Sequence, residues 1–459
     1  MRESTGRANR LGWRTFAMAV MMQAFYWDAP IKEQKEGEWW NHLSEKAPEL
    51  AAAGINAMWL PPICKGAEAR SPGYDPYDYF DLGDFDQKGA KKTLYGNRKE
   101  LENLIKTLHE HKIGAYADMV INHNSGADEE EVNPIDGQKR WTKFNPKSGK
   151  FPRDWNCFHP SRYERVMIEG ENFAGFPHLC HRNPRVYEAM FEYARMVIEE
   201  LGFDGFRFDF AKGYGAWMIG GLAKYRYERD GKEFTPFVVG EYWSGPQDIE
   251  GWLDKVRAVT DSQIAAFDFP LRYKLKDVCD TLKYDLRNLT AGESVVAKRP
   301  FNAVTFVDNH DMGGGKEIIN DKNLAYSFIL MNEGYPCIFW YDYYNLRLAR
   351  PGTPNGIDAL IDAHHKYAGG EAVILHADPD LYIMQRSGIE GQPGCVYVLN
   401  NLGDKWSGTS VKTKWANQRL KPVAWDGHDS AHPDERTTDK DGNAEFPAPP
   451  RGFAVYAPA

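Results

Sequence analysis

Nothing in this chain reads as a disulfide framework. Its six cysteines, Cys64, Cys157, Cys180, Cys279, Cys337 and Cys395, are scattered and include no CxxC pair. At 459 residues it has no need of cross-links to hold a core. That leaves room for one or two bridges at most, with Cys157 and Cys180 the leading local pair. There is also no block of lysine and arginine, and the formal net charge is -9, so the electrostatic footprint of a nucleic-acid or anionic-membrane binder is missing. No apolar run reaches the roughly 18 residues of a membrane span. The stretch "TFAMAVMMQAFYW", which follows Arg10 and Arg14, has the composition of a signal-peptide core. No small-x-small cleavage site follows it, so it reads better as a buried first strand. The compartment stays open: secreted if a signal was removed, cytoplasmic otherwise. Internal repeats and low-complexity linkers are missing too. What the chain does have in quantity is aromatic rings, 14% of residues. These suit a sugar- or ring-binding cleft and equally a large core.

The length predicts two or three domains. Up to about residue 367, strand-like and helix-like runs alternate. The strand-like runs are "MMQAFYW" (21–27), "INAMWLPP" (55–62), "IGAYADMVIN" (113–122), "GFDGFRFDF" (202–210), "TPFVVGE" (235–241), "QIAAFDFP" (263–270), "FNAVTFVDN" (301–309) and "YPCIFWYD" (335–342). Between them, "RKELENLIKTLHEHK" places Leu101, Leu104, Ile105 and Leu108 at helical spacing. The run 183–202 opens on Asn183 and Pro184 as helix-start signals and stops at Gly202. Eight alternations of short, doubly buried strands with helices predict an α/β fold, a (β/α)8 TIM barrel. Residues 123–182 carry no clear helix and are too many for one loop, so they read as a small irregular domain inserted after strand 3. From 368 to 459 the pattern turns to short strands separated by Gly, Asp, Asn and Pro, which predicts a C-terminal antiparallel β-sandwich. The domain reading is therefore 1–122 and 183–367 for the barrel, 123–182 for the insertion and 368–459 for the C-terminal domain.

Catalytic groups of such barrels sit at the C-terminal ends of the strands. Strand three ends in Asp118, Asn122 and His123; strand four in Arg207, Asp209 and Lys212; strand five in Glu241, Tyr242 and Trp243; strand seven in Asp308, Asn309, His310 and Asp311. Asp209, Glu241 and Asp311 should therefore meet on one rim. Clustered carboxylates suit either metal-assisted hydrolysis or glycoside cleavage by a nucleophile and an acid/base pair. Arg207 and Asp209 share a strand face, and an arginine there keeps a nucleophilic carboxylate ionised. The apolar run before Glu241 and the aromatics after it suit a general acid and a sugar ring.

"DMVINH", "GFRFDFAKG", "GEYW" and "FVDNHD", in this order and at these strands, resemble the four signature regions of the α-amylase family, glycoside hydrolase family 13. "QAFYWD", "GYDPYDYFDLG" and "FDFPLRYKL" are similar to its bacterial liquefying and archaeal branches. The resemblance spans essentially the whole chain. It implies retaining endo-hydrolysis of internal α-1,4-glucosidic bonds in starch, glycogen and maltooligosaccharides, with Asp209 as nucleophile, Glu241 as acid/base and Asp311 as the third acid. Arg207, His123, His310 and Tyr74 match residues that hold the sugar at the cleavage point, and Lys212 and Trp243 match the leaving-group side. The chain begins at its first barrel strand and "FPHLC" lacks the pattern of α-1,6-glucosidase relatives; both favour α-1,4 chemistry. The partners expected are α-glucan polysaccharides and maltooligosaccharides, with no nucleic acid, no membrane and a monomeric state. A transglycosylase of the same family and a non-catalytic carbohydrate-binding member are the alternatives.

The chemistry needs no cofactor. The resemblance implies a structural Ca²⁺ between barrel and insertion, with Asn122 and the Gly213 carbonyl as ligands. Calcium requires an oxygen-rich cage, yet the family's aspartates fall on His178 and near Ile168 here. The site is expected to be greatly weakened, with Glu169 or Glu171 the candidate substitutes. Cys157, His159, Glu164, His178, Cys180 and His181 lie in the same segment. Zinc accepts such ligands and some archaeal relatives hold a metal there, but the spacing is irregular. Free thiols or a bridge are expected rather than zinc.

Overall fold

The structure, a computed structural model, describes residues 19–173 and 175–459. Arg10, Arg14 and the first four residues of the apolar run lie outside the described residues, and the signal-peptide reading with them.

Eight strands form where the sequence placed them: β1 (Met21–Gln23), β2 (Ala57–Leu60), β3 (Gly114–Met119), β4 (Gly205–Phe208), β5 (Phe237–Gly240), β6 (Ile264–Phe267), β7 (Ala303–Phe306) and β8 (Tyr335–Phe339). They close a barrel in sequential order. Pairing is parallel from β2 through β6, between β7 and β8, and between β8 and β1. Every residue of β2, β4, β5, β6 and β7 is buried, the mark of a sheet covered on both faces. Glycine serves this closeness at Gly240, where a Cβ would stand 2.2 Å from the Trp252 ring.

The helices follow their local signals. Helix α1 (Arg98–Glu110) starts with a full capping box: the Asn97 side chain accepts from the Glu100 N–H, and the Glu100 carboxylate accepts from the Asn97 N–H. Its buried stripe is Leu101, Leu104, Ile105 and Leu108, the set read from spacing. In α2 (Pro184–Arg195) the Asn183 side chain accepts from Arg185 N–H and Pro184 fills the first turn. A π turn over Met196–Glu200 extends it, and Gly202 then takes φ +85°, which a glycine adopts without strain. A short helix, α3 (Ala216–Lys224), follows β4.

The insertion after β3 carries a hairpin, Glu129–Val132 with Lys139–Lys143, and a single 3-10 turn over Trp155–Cys157. Its core is aromatic and cationic: the buried Arg153 guanidinium lies 4.3 Å from the Phe144 ring centroid. Of the two states left open for Cys157 and Cys180, the structure has the free thiols. All six cysteines are buried free thiols, and Cys180 Sγ accepts from the Ser161 hydroxyl at 3.1 Å.

Contacts divide the chain into two compact units: Ala24–Ala51 with Ala57–Phe267, which holds β2 to β6 and the insertion, and the remainder, which holds β1, β7, β8 and the C-terminal strands. In the second unit an antiparallel six-stranded sheet runs in the order Ala372–Ala377, Leu381–Arg386, Val396–Asn400, Gly452–Pro458, Arg419–Asp426, Arg436–Thr437. A two-stranded sheet, Ser407–Lys412 with Asn443–Ala448, packs on it. Leu381, Ile383, Val396 and Val398 of the first meet Val411, Phe446 and Ala448 of the second in one apolar core.

Candidate active site

Parallel register builds the centre of the site. Asp118 of β3 pairs with Arg207 of β4, and Arg207 pairs with Val239 of β5. The ladder runs on past the strand ends: Asp209 N–H donates to the Met119 carbonyl (3.2 Å), Glu241 N–H to that of Phe208 (2.9 Å), and Ala211 N–H to that of Glu241 (2.9 Å). Both acids are thus fixed by backbone where their strands stop. Asp209 is 7% exposed and Glu241 6%.

Between them stands Arg207, with no exposed surface at all. Its Nη1 donates to Asp118 Oδ1 at 2.7 Å and to Asp209 Oδ1 at 2.9 Å. Its Nη2 lies 2.9 Å from Glu241 Oε2, a charge contact without hydrogen-bond alignment. Burial pulls the Arg207 pKa down, but the three carboxylates and Tyr74 more than offset this and hold it well above its ordinary value. A planar fork serving several carboxylates is what arginine offers and lysine does not.

Asp118 is the residue that sequence reasoning left without a role. Fully buried, it accepts from Arg207, from the Tyr74 hydroxyl at 2.7 Å and from the Trp59 indole N–H at 3.0 Å. The signal was present: a carboxylate inside a doubly buried strand is as anomalous as Arg207 itself. Tyr74 in turn lies parallel to Trp27, centroids 5.6 Å apart. His123 Nε2 donates to the Tyr74 carbonyl at 2.8 Å and Nδ1 accepts from the Asn122 amide at 3.3 Å. Burial pushes its pKa down to about 4, so it is a neutral ring. Phe173 of the insertion stacks on it at 4.8 Å and 5°. No pattern in the irregular segment 123–182 marks Phe173.

Phe210 departs from its sequence reading. Strand β4 ends at Phe208, and Phe210 takes a left-handed φ of 41°. Its N–H donates to Glu241 Oε2 at 3.1 Å and its ring meets Phe173 at 5.1 Å, so it faces the insertion rather than extending the strand to residue 210. Lys212 pairs with Glu171 at 3.0 Å, and Trp243 stands half-buried two residues past Glu241. In the other unit, His310 is buried after β7, with Nδ1 2.9 Å from the Gln23 amide and Nε2 3.5 Å from Asp311 Oδ2. Asp311 N–H donates to Asn309 Oδ1 at 2.9 Å.

Comparison with known proteins fits this arrangement. Residues 31–342 match the family model described as "Alpha amylase, catalytic domain", and 395–457 match "Alpha-amylase C-terminal". The chain belongs to the α-amylase family. It is 32% identical to the α-amylase of Bacillus licheniformis over 403 residues, 76% of this chain and 77% of that relative. It is 31% identical to the cytoplasmic α-amylase of Escherichia coli (strain K12), over 93% of this chain and 96% of that one. Among solved structures, an Anoxybacillus α-amylase aligns with TM-score 0.68 at 19% identity, covering 97% and 99% of the two chains. An α-amylase from Geobacillus thermoleovorans, complexed with acarbose, aligns with TM-score 0.65 at 18% identity over 92% of each. As an α-amylase-type glycoside hydrolase, the chain has its two buried acids at the ends of adjacent barrel strands.

The residues implied for calcium do not make a calcium cage. Asn122 Oδ1 lies against Gly213, 2.4 Å from where a Cβ would stand on it. The expected aspartate position is His178, which is buried, with Nε2 accepting from Phe173 N–H at 2.6 Å. Glu169 and Glu171 pair instead with Arg182 (3.6 Å) and Lys212 (3.0 Å). Zinc fares better. His159, Glu164 and Cys180 bring three donors within 4.8 Å of one another, the one such cluster among the described residues. They would supply one nitrogen, one oxygen and one sulfur, three of the four positions zinc takes. Burial raises the Cys180 pKa and keeps it a thiol beside Ser161; to hold zinc it would have to give up that proton. An ion there would tie the loop around 159–164 to Cys180, and no catalytic step uses it.

Proposed function

We propose that the chain hydrolyses internal α-1,4-glucosidic bonds of starch, glycogen and maltooligosaccharides with retention of configuration. Asp209 attacks the anomeric carbon while Glu241 protonates the leaving oxygen; Glu241 then takes a proton from the water that releases the glycosyl-enzyme. The family resemblance assigns sugar-holding roles to Tyr74 and His123, and separately to His310 and Asp311, and gives Lys212 and Trp243 the leaving-group side. The observation that carries the reading is one guanidinium, Arg207, serving both Asp209 and Glu241. Two carboxylates on a single guanidinium favour the separation of about 5–5.5 Å of retaining enzymes over the roughly 6.5–9.5 Å of inverting ones. The neutral His123 is compatible with a place beside the sugar, because an uncharged ring adds no positive charge near an oxocarbenium-like transition state.

A groove of about 800 Å³ on the insertion, lined by Trp141, Phe173, Phe176, Arg140 and Arg165, supports a polymeric substrate. Its Phe173 wall leans on His123, so a chain bound at the acids can continue onto aromatic surface. The test is product analysis on soluble starch and on a defined maltooligosaccharide, with NMR reading the first-formed anomer. Early α-anomer, a broad initial spread of oligosaccharides and loss of cleavage in Asp209→Asn are expected. Early β-anomer overturns retention, and products longer than the substrate turn the reading to transglycosylation.

A further inference from the structure

We infer that the inserted segment 169–173 is locked onto the loop after β4 by the chain itself, where the family fold would use a calcium ion, and that this protein's stability is independent of calcium.

Three observations converge on this segment. The first is backbone contact. Gly170, at φ +108°, lies so close over the Gly213 carbonyl that a Cβ would stand 2.1 Å from its oxygen and 2.9 Å from Tyr214 N. The oxygen that would face an ion is thus covered by the Gly170 backbone, whose Cα–H groups offer it weak donors. The second is charge. The two carboxylates flanking Gly170 are each taken by a protein cation, Glu169 by Arg182 and Glu171 by Lys212, and Arg182 is itself seated over the Trp217 ring at 4.9 Å. Glu169 Oε2 also lies beside Gly215, 2.4 Å from where its Cβ would be, at the start of α3, where the helix dipole favours a negative group. The third is His178. Standing where a carboxylate ligand is expected, it accepts the Phe173 N–H instead and so holds the ring that stacks on His123. A divalent cation needs anionic oxygens it can share; here they are already neutralised and the neutral carbonyl is covered.

The ion pairs are half exposed, with side-chain exposures of 46% and 49% for Arg182 and Glu169, so each contributes little alone. The Gly170 contact is the part that tolerates no substitute, being strained by φ and by space for any other residue.

The test uses the full chain. Protein purified in millimolar CaCl2 and passed into calcium-free buffer is assayed for bound calcium by mass spectrometry, and its melting temperature is read with and without 5 mM CaCl2. Substoichiometric calcium, below a tenth of an equivalent, and a shift under 1 °C are expected. An ion held a hundredfold above its dissociation constant would give about 3 °C in a chain of this size. One equivalent of retained calcium, or such a shift, overturns the proposal. Hydrogen exchange then tests the lock: Gly170→Ala should speed exchange across 165–173 at least tenfold, with β3 to β5 unchanged and no recovery in calcium. Wild-type exchange in that variant, or recovery in CaCl2, equally overturns it. None of these readouts depends on the substrate, so they stand or fall separately from the proposed activity.

Discussion

Replacing Arg207 by methionine tests the centre of the site. The change keeps most of the side-chain volume and removes the charge that Asp118, Asp209 and Glu241 share at 2.7, 2.9 and 2.9 Å. Each pair is worth about 4 kcal/mol of gross attraction at an effective dielectric constant near 20. Most of that offsets the desolvation of a fully buried guanidinium, so the net loss on breaking such a network is about 3–5 kcal/mol. The acids left behind would face one another without a cation, and like charges crowded together favour protonation. Two results are expected: a urea midpoint lowered in proportion to that loss at unchanged slope, and an acid limb of the kcat/KM profile on soluble starch that moves to higher pH by about 1 unit or more, with kcat reduced. Arg207→Lys should recover part of the stability, since an ammonium supplies charge without the fork. An acid limb that stays in place in a folded Arg207→Met protein would refute the claim that this arginine keeps the nucleophile ionised.

Asp118→Asn leaves acceptors for Tyr74 and Trp59 but removes a charge from Arg207; a stability loss of about 2 kcal/mol and a fall in kcat larger than the change in KM are expected by urea titration and steady-state kinetics. Phe173→Ala removes the ring on His123 and Phe210; KM for long maltooligosaccharides should rise several-fold, with little change for the shortest cleaved substrate. Acid should destabilise the fold. Burial lowers the pKa of His123 and His181 to about 4 and of His364 to about 3, so the unfolded chain binds more protons between pH 6.5 and 4. Asp75, raised by burial to about 6, opposes one of them. The net of these four groups is a loss of about 2–3 kcal/mol per pH unit near pH 5. Melting temperatures taken between pH 7 and 5 check this, and a flat or rising trend on acidification contradicts it. Phe446→Ala, in the core between the two C-terminal sheets, should cost about 3–5 kcal/mol with kcat per folded molecule unchanged.

Periodicity and local chemistry were enough to locate the barrel strands, because a doubly buried parallel strand must be a short apolar run and its neighbours must be helices. The stops and starts were equally local: Asn97 with Glu100, Asn183 with Pro184, and Gly202 act within four residues of their own position. Charge inside the fourth strand was legible as an anomaly, which is why Arg207 and Asp209 stood out. The sequence alone did not reveal what those charges face. Asp118 meets Arg207 only because two strands 89 residues apart lie side by side in a fixed register. Phe210 leaves its strand because the chain must turn there, a left-handed residue that alternation does not foresee. The insertion was the least readable part, since no period governs it. Whether Cys157 and Cys180 bond, which cations Glu169 and Glu171 find, and that Gly170 covers the Gly213 carbonyl are matters of which surfaces meet in space. Short-range patterning therefore determined the architecture and singled out the candidate acids, and tertiary packing alone decided how those acids are paired, held and enclosed.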